Sequence, residues 1–174
     1  MRLALTAIYC LALCSLPTLG QMKRAPMSDQ KFLDFAAQTD MVEANLGQLA
    51  QDTAESQAVK DYGSMLAGDH TQDYQKLQSL AQQAGLTLPT AIDAEHNKAL
   101  IGPLHALRGA AFDHKYIQGM IAGHTAAIAI YKMEAQNATN PALSSYAQDT
   151  LATLEKHLDS AKAIQQGKSK MPPM

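Results

Sequence analysis

Tryptophan is missing from the 174-residue chain, and Phe and Tyr bring aromatics to only 5%. Strands draw on aromatic and β-branched residues, so an all-β fold has little to build on. Cysteine is nearly absent. The two that occur, Cys10 and Cys14, lie in the first apolar segment and form no CxxC pair, which leaves no thiolate redox or metal motif in the body of the chain. Basic charge is not in excess: Lys and Arg number 14 against 16 Asp and Glu, a net charge of −2. A nucleic-acid partner therefore has no electrostatic support. There is no nucleophile elbow and no phosphate-binding glycine loop, so hydrolase and transferase readings have nothing to stand on. What is present, 47% hydrophobic and 17% charged residues, suits one globular domain.

The chain opens with a short positive segment, Met1-Arg2, and an uncharged apolar run from Leu3 to Leu19. Thr18 and Gly20 put small residues before Gln21, as in a secretory signal peptide. The alternatives are an uncleaved membrane anchor, close to the minimum spanning length, and a lipoprotein at Cys14, where Leu13 is too bulky. The expected division is a signal peptide over 1–20, a flexible segment over 21–27, a helical domain over 28–167 and a flexible tail over 168–174. Cleavage after Gly20 removes both cysteines and Arg2, leaving 13 basic and 16 acidic residues, or −3. The mature chain has no second long apolar run. It is expected to be soluble, exported to the bacterial periplasm and held by its apolar core, without disulfides.

The remainder reads as helices. Ser28 is an N-cap before a stripe of Phe32, Phe35, Ala36, Thr39, Val42, Leu46, Leu49 and Ala50, placing a helix over 29–53. Ser56 caps a second stripe of Val59, Tyr62, Leu66, His70, Asp73, Leu77, Leu80 and Ala84, stopped by Gly85. Residues 85–108 are broken by Pro89, Gly102 and Pro103, with room for a short helix near 93–101. A third long helix spans 109–137 with Phe112, Tyr116, Met120, His124, Ala127, Tyr131 and Ala135. Asn140-Pro141 starts a fourth, with Leu143, Ala147, Thr150, Leu154, His157, Ala161 and Ile164, ending at Gly167. Two tight hairpins joined by a long crossover predict an all-α, ferritin-like four-helix bundle. The run from Met65 to Thr71 also echoes Met120 to Thr125, as chance or a trace of duplication.

Polar residues fall where the core should be. His70, His124 and His157 lie on apolar stripes, and Glu43 lies beside one. Counted from the nearest turns at about 1.5 Å per residue, all four sit near the middle of helices nearly 40 Å long. One carboxylate and three imidazoles suit a single divalent metal such as zinc, iron or manganese. The competing reading is a buried hydrogen-bond network with no metal. A diiron site needs Glu-x-x-His on two helices, but Ala67, Ile121 and Leu154 precede the three histidines by three. Asp69, Asp73, Asp113 and Tyr116 form the second tier. Asp69 sits about 100° off the inward face, where it can reach a neighbouring helix but is expected rather to face solvent. Asp73 is placed to accept from His70. Asp113 is expected to complement its own helix dipole, and Tyr116 to be a core aromatic with a bonded hydroxyl. His96, His105 and His114 read as loop or surface histidines. Met22, Met27, Met171 and Met174 are soft-metal candidates only if the termini meet, and Asn137-Ala138-Thr139 is a sequon only in a eukaryotic secretory route.

The order Glu43, Leu46-Gly47-Gln48-Leu49-Ala50, Val59-Lys60, Met65, Asp69-His70, Phe112-Asp113-His114-Lys115-Tyr116, Met120, His124, Leu154 and His157-Leu158 resembles a bacterial exported family, domain of unknown function 4142. The resemblance spans about residues 30–165. It implies a ferritin-like bundle and export, and marks Glu43, His70, Asp113, Tyr116, His124 and His157 as characteristic polar positions. It implies no activity. The outer-membrane label carried by the family sits poorly with a chain that lacks alternating barrel strands.

Two functions remain. In the first, favoured on sequence alone, the protein is a non-catalytic envelope or stress-related structural protein with a protein partner or a second copy of itself. The polar core then fixes helix register, and the crossover offers a docking face. In the second, Glu43, His70, His124 and His157 hold one metal ion.

Overall fold

The computed structural model describes residues 27–167, and the secondary structure among them is entirely helical. The expected signal peptide, the tail and most of the 21–27 segment lie outside the described residues. Met27 is the exception. Its backbone N–H donates to Glu134 Oε1 at 2.8 Å and its side chain packs on the core, so this end of the presumed flexible segment is tied down.

Four long helices carry the fold: α1 (Asp29–Thr53), α2 (Gln57–Ala84), α5 (Gly109–Asn137) and α6 (Pro141–Gln165). Local chemistry sets their ends. The hydroxyls of Ser28 and Ser56 accept from Lys31 N and Val59 N, as N-caps do. Gly85 closes α2 at φ 65°, where a side chain would be strained, and Leu86 N reaches back to Ala81 O at 2.9 Å. Asn140 caps α6, with Pro141 in the first turn. Between the pairs, the crossover holds α3 (Ala94–His96), a π-helical turn (Asn97–Ile101) and α4 (Gly102–His105).

α1 packs along α2 and α5 along α6; α1 meets α5 and α2 meets α6. Asp29 accepts from Thr139 N at 3.0 Å, joining the start of α1 to the α5–α6 turn. Asp113 accepts from Glu55 N and Ser56 N at 2.9 and 2.8 Å. This corrects the expectation for Asp113. It lies beyond the first turn of α5, and its charge faces the N-terminal amides of α2 instead of its own helix dipole.

The apolar interior falls into two clusters. One gathers Phe32, Leu33, Leu77, Tyr131, Leu143 and Tyr146; the other gathers Val42, Leu46, Tyr62, Leu66, Phe112 and Tyr116. Burying each large side chain contributes about 1.5–3 kcal/mol. His70, His124 and His157 sit where the clusters meet, so a polar layer divides an otherwise apolar core.

The hairpin α1–α2 closes tightly at two glycines. A Cβ on Gly47 would stand 2.5 Å from Gly63 O and 2.8 Å from Ala67 N, both backbone atoms of α2. Neither can swing aside as a side-chain tip can. Gly47→Ala must push the helices apart and should lower stability by about 1–3 kcal/mol. A urea titration reads this as an earlier midpoint; an unchanged midpoint would contradict the close approach.

Candidate metal centre

His70 comes from α2, His124 from α5 and His157 from α6, each on the inward stripe of its helix. All three are almost fully buried. One ring nitrogen from each lies within 4.8 Å of the others. Glu43 is not in this group, so the expected set of four narrows to three. Glu43 is itself buried beside the cluster, its Oε1 against Gly123, and Oε2 has no hydrogen-bond partner among the described residues.

Hydrogen bonding decides which ring nitrogens carry protons. His124 Nδ1 lies 2.9 Å from Met120 O. A carbonyl only accepts, so Nδ1 donates and Nε2 keeps a lone pair. His157 Nε2 lies 2.9 Å from Asp69 Oδ2 and donates to it. Burial, then the charge of His70, holds the His157 pKa down to about 4 against the pull of Asp69, so the ring is neutral near pH 7 and Nδ1 keeps its lone pair. His124 Nε2 and His157 Nδ1 then face each other at 3.3 Å with no proton required between them. Burial also lowers the His124 pKa, ahead of the opposing charge of Glu43.

His70 donates from Nδ1 to Asp40 Oδ1 at 2.8 Å, and its Nε2 has no partner among the described residues. Burial pushes Asp40 up to about 7 even with His70 beside it. For His70 burial works downward, but the hydrogen bond to Asp40 and the nearby charge of Glu43 outweigh it and the net shift is upward. The pair thus shares a proton near neutrality. Each imidazole therefore has one nitrogen fixed by an oxygen acceptor and the other turned inward, the arrangement that orients metal-binding histidines.

The donor chemistry fits a metal ion. At metal–nitrogen distances of about 2.0–2.1 Å, tetrahedral ligands stand roughly 3.3 Å apart, which matches the His124–His157 separation. His70 Nε2 is an orphaned buried atom, which otherwise only costs stability.

The secondary residues are placed differently from expectation. Asp69 reaches the neighbouring helix α6 as a half-exposed partner of His157, its side chain 38% accessible, the second of the two placements its angle allowed. Asp73 does not touch His70. It accepts from Tyr146 OH at 2.5 Å and from Lys76 Nζ at 3.3 Å, and Asp40 takes the role expected of it. Asp113 has its partners at the α1–α2 turn, about three helical turns along α5 from His124. Tyr116 is in the core as expected, but its hydroxyl has no partner among the described residues, nor has that of Tyr62. Burial, reinforced by Glu43, drives both phenol pKa values far up.

Asp40 and Glu134 are the buried acids that sequence reasoning missed. Asp40 stands four residues after Ala36 and three before Glu43, the inward spacing of α1. Glu134 stands three after Tyr131 on α5, where a step of four had pointed to Ala135.

Fold and site together define an all-helical protein with an imidazole cluster in its core. The chain belongs to the family described as Domain of unknown function (DUF4142), whose profile matches residues 16–164. No curated protein matches it. Among solved structures it is similar to CopM in the Cu(II)-bound form, at 16% identity and a TM-score of 0.68, over 82% of this chain and 99% of that one. CopM in the Cu(I)-bound form is 18% identical with the same TM-score of 0.68, over 81% and 97% of the two chains. The apo form gives 17% and 0.63, over 81% and 98%. At these identities the likeness establishes a shared helical fold.

Proposed function

We propose that the protein holds one copper ion in its core through His70, His124 and His157. The observation that carries this is the convergence of three inward nitrogens within 4.8 Å, each ring tethered at its other nitrogen. Three imidazoles without a thiolate suit copper(II) or zinc, and copper stands above zinc in general affinity. The likeness to copper-bound CopM supports the choice of copper. The ion supplies positive charge and coordination; the chain's own groups orient the rings and keep them dry. Asp40 aims His70, the Met120 carbonyl aims His124, and Asp69 aims His157. Nothing in this layer resembles a nucleophile with its base, so the role is metal holding.

We further read the two hairpins and crossover as a ferritin-like bundle over 28–167, exported by a cleaved segment 1–20 and working in the periplasm. The structural reading, in which the polar layer only sets helix register, is less well supported. A network built for that purpose satisfies its members, whereas His70 Nε2, Asp40 Oδ2 and Glu43 Oε2 are all left over.

The test is metal analysis of the full chain, purified without an affinity tag or chelator and dialysed against copper(II) or zinc. About one copper per folded chain is expected. A folded protein that retains no added metal overturns the proposal.

A further inference from the structure

We propose that His96, at the outer side of a pocket under the crossover, is an entry station for copper, with the buried Glu43 deeper in the same wall, and that the core site is loaded through this pocket. This rests on the core copper reading and deepens it. The pocket has a volume of about 180 Å³, and its walls include His96, Leu100, Thr39, Glu43, His70 and His124. At roughly 30 Å³ per water it has room for an ion with part of its hydration shell. It therefore joins a half-exposed histidine on the crossover to two of the three core ligands.

His96 is built for the task. Asp93 clamps it twice, accepting from its backbone N–H and from its ring Nδ1, both at 2.8 Å. A ring that donates from Nδ1 to a carboxylate has Nε2 free to bind metal. The side chain is 38% accessible, so it reaches solvent while lining the pocket. Its position is fixed from α1: Gln38 donates to Ala91 O at 3.0 Å and accepts from Asp93 N at 3.1 Å. The π-helical turn that follows carries Leu100, the one large hydrophobic residue that is exposed among the described residues, at 47%. Such turns recur at functional sites.

The inner end of the pocket points to a cation independently. Glu43 and His70 both line it, and each has a buried atom, Oε2 and Nε2, without a hydrogen-bond partner among the described residues. A carboxylate oxygen and a ring nitrogen are both ligand types for a divalent metal ion. A second opening, between α2 and α6, is larger at about 690 Å³ and touches His70 and His157. There Asp69 already occupies His157 Nε2. That route meets His157 at a filled nitrogen and shares His70 with the crossover pocket, whereas the crossover pocket adds Glu43 and His124.

The test is stopped-flow loading of the full chain from a chromophoric copper(II) chelate, with His105→Ala, an exposed histidine of the same crossover, as the control. His96→Ala should still bind one copper, with equilibrium affinity within about threefold of wild type, but load about tenfold more slowly or worse. Asp93→Asn should show a smaller slowing, and His105→Ala none. Melting temperatures within about 3 °C of wild type would show that the fold is intact. An unchanged loading rate in His96→Ala, or equal slowing in His105→Ala, overturns the station and leaves the core site standing. A wild type that takes up no copper overturns both.

Discussion

On the proposed copper reading, replacing His124 with leucine should abolish copper binding in the core and leave the metal-free protein as stable as wild type, or more so. His124 supplies one of three ligand nitrogens within 4.8 Å. Losing a group that merely orients a ligand costs about 10–100-fold in metal affinity, and loss of the ligand itself costs at least that. The expected loss is therefore about 100-fold or more, read by competition with a chelator. The stability arm separates the two functional readings. In the metal-free protein the three rings are desolvated at the junction of two apolar clusters. Exchanging a buried polar group for an apolar one of similar size is often neutral or favourable when the polar group was not essential to the fold. If the layer served only to fix helix register, His124→Leu would lower the melting temperature and leave metal content, already nil, unchanged.

The second large effect is on pH dependence. Burial pushes Asp40 up to about 7 from an ordinary 3.8. The folded protein then holds a proton that the unfolded chain has released, so this contribution is fully present below about pH 4 and is lost as pH rises through 7. His70, also raised, acts in the same direction. His157 acts oppositely. With its pKa held down to about 4, it contributes stability above pH 6.5 that is lost as pH falls. The two trends offset each other between about pH 4 and 6.5, and above that range the Asp40–His70 loss stands alone. Asp40→Asn keeps an acceptor for His70 but discards the titrating group. Between pH 5 and 8, metal-free unfolding free energies should shift in favour of the variant by about 2–3 kcal/mol. Parallel curves for the two proteins would show that Asp40 titrates normally. A metal can take His70 Nε2 only when that nitrogen carries no proton, and the His70 pKa is raised, so metal affinity should fall as pH drops.

Much of the fold was legible because helix ends are local events. Ser28, Ser56, Gly85 and Asn140-Pro141 each carry their signal within a few residues, and the long helices begin and end beside them. The three histidines were legible because a spacing of three and four places them in line with leucines, alanines and aromatics. The hydrogen bonds around them were not. Asp69 lies off the inward face of α2, and only the packing of α6 shows that His157 waits there. Asp73 follows His70 by one turn and looks like its partner, yet the register of α2 against α6 gives it Tyr146 instead. Asp40 carried a readable signal, since it continues the spacing from Ala36 to Glu43. Its pairing with His70 depends on how α1 lies against α2, and the glycine contact at Gly47 and Gly63 helps to set that. Glu43 was correctly placed in the interior, but depth along a helix axis did not fix its reach to the three nitrogens.

The central claim is tested most directly by X-ray absorption at the copper edge on the full chain loaded with one equivalent. The proposed site predicts about three imidazole nitrogens near 2.0 Å, with His70→Ala, His124→Ala and His157→Ala each losing that pattern. Copper bound with the same spectrum in all three variants, or no retained copper in a folded wild type, would contradict it.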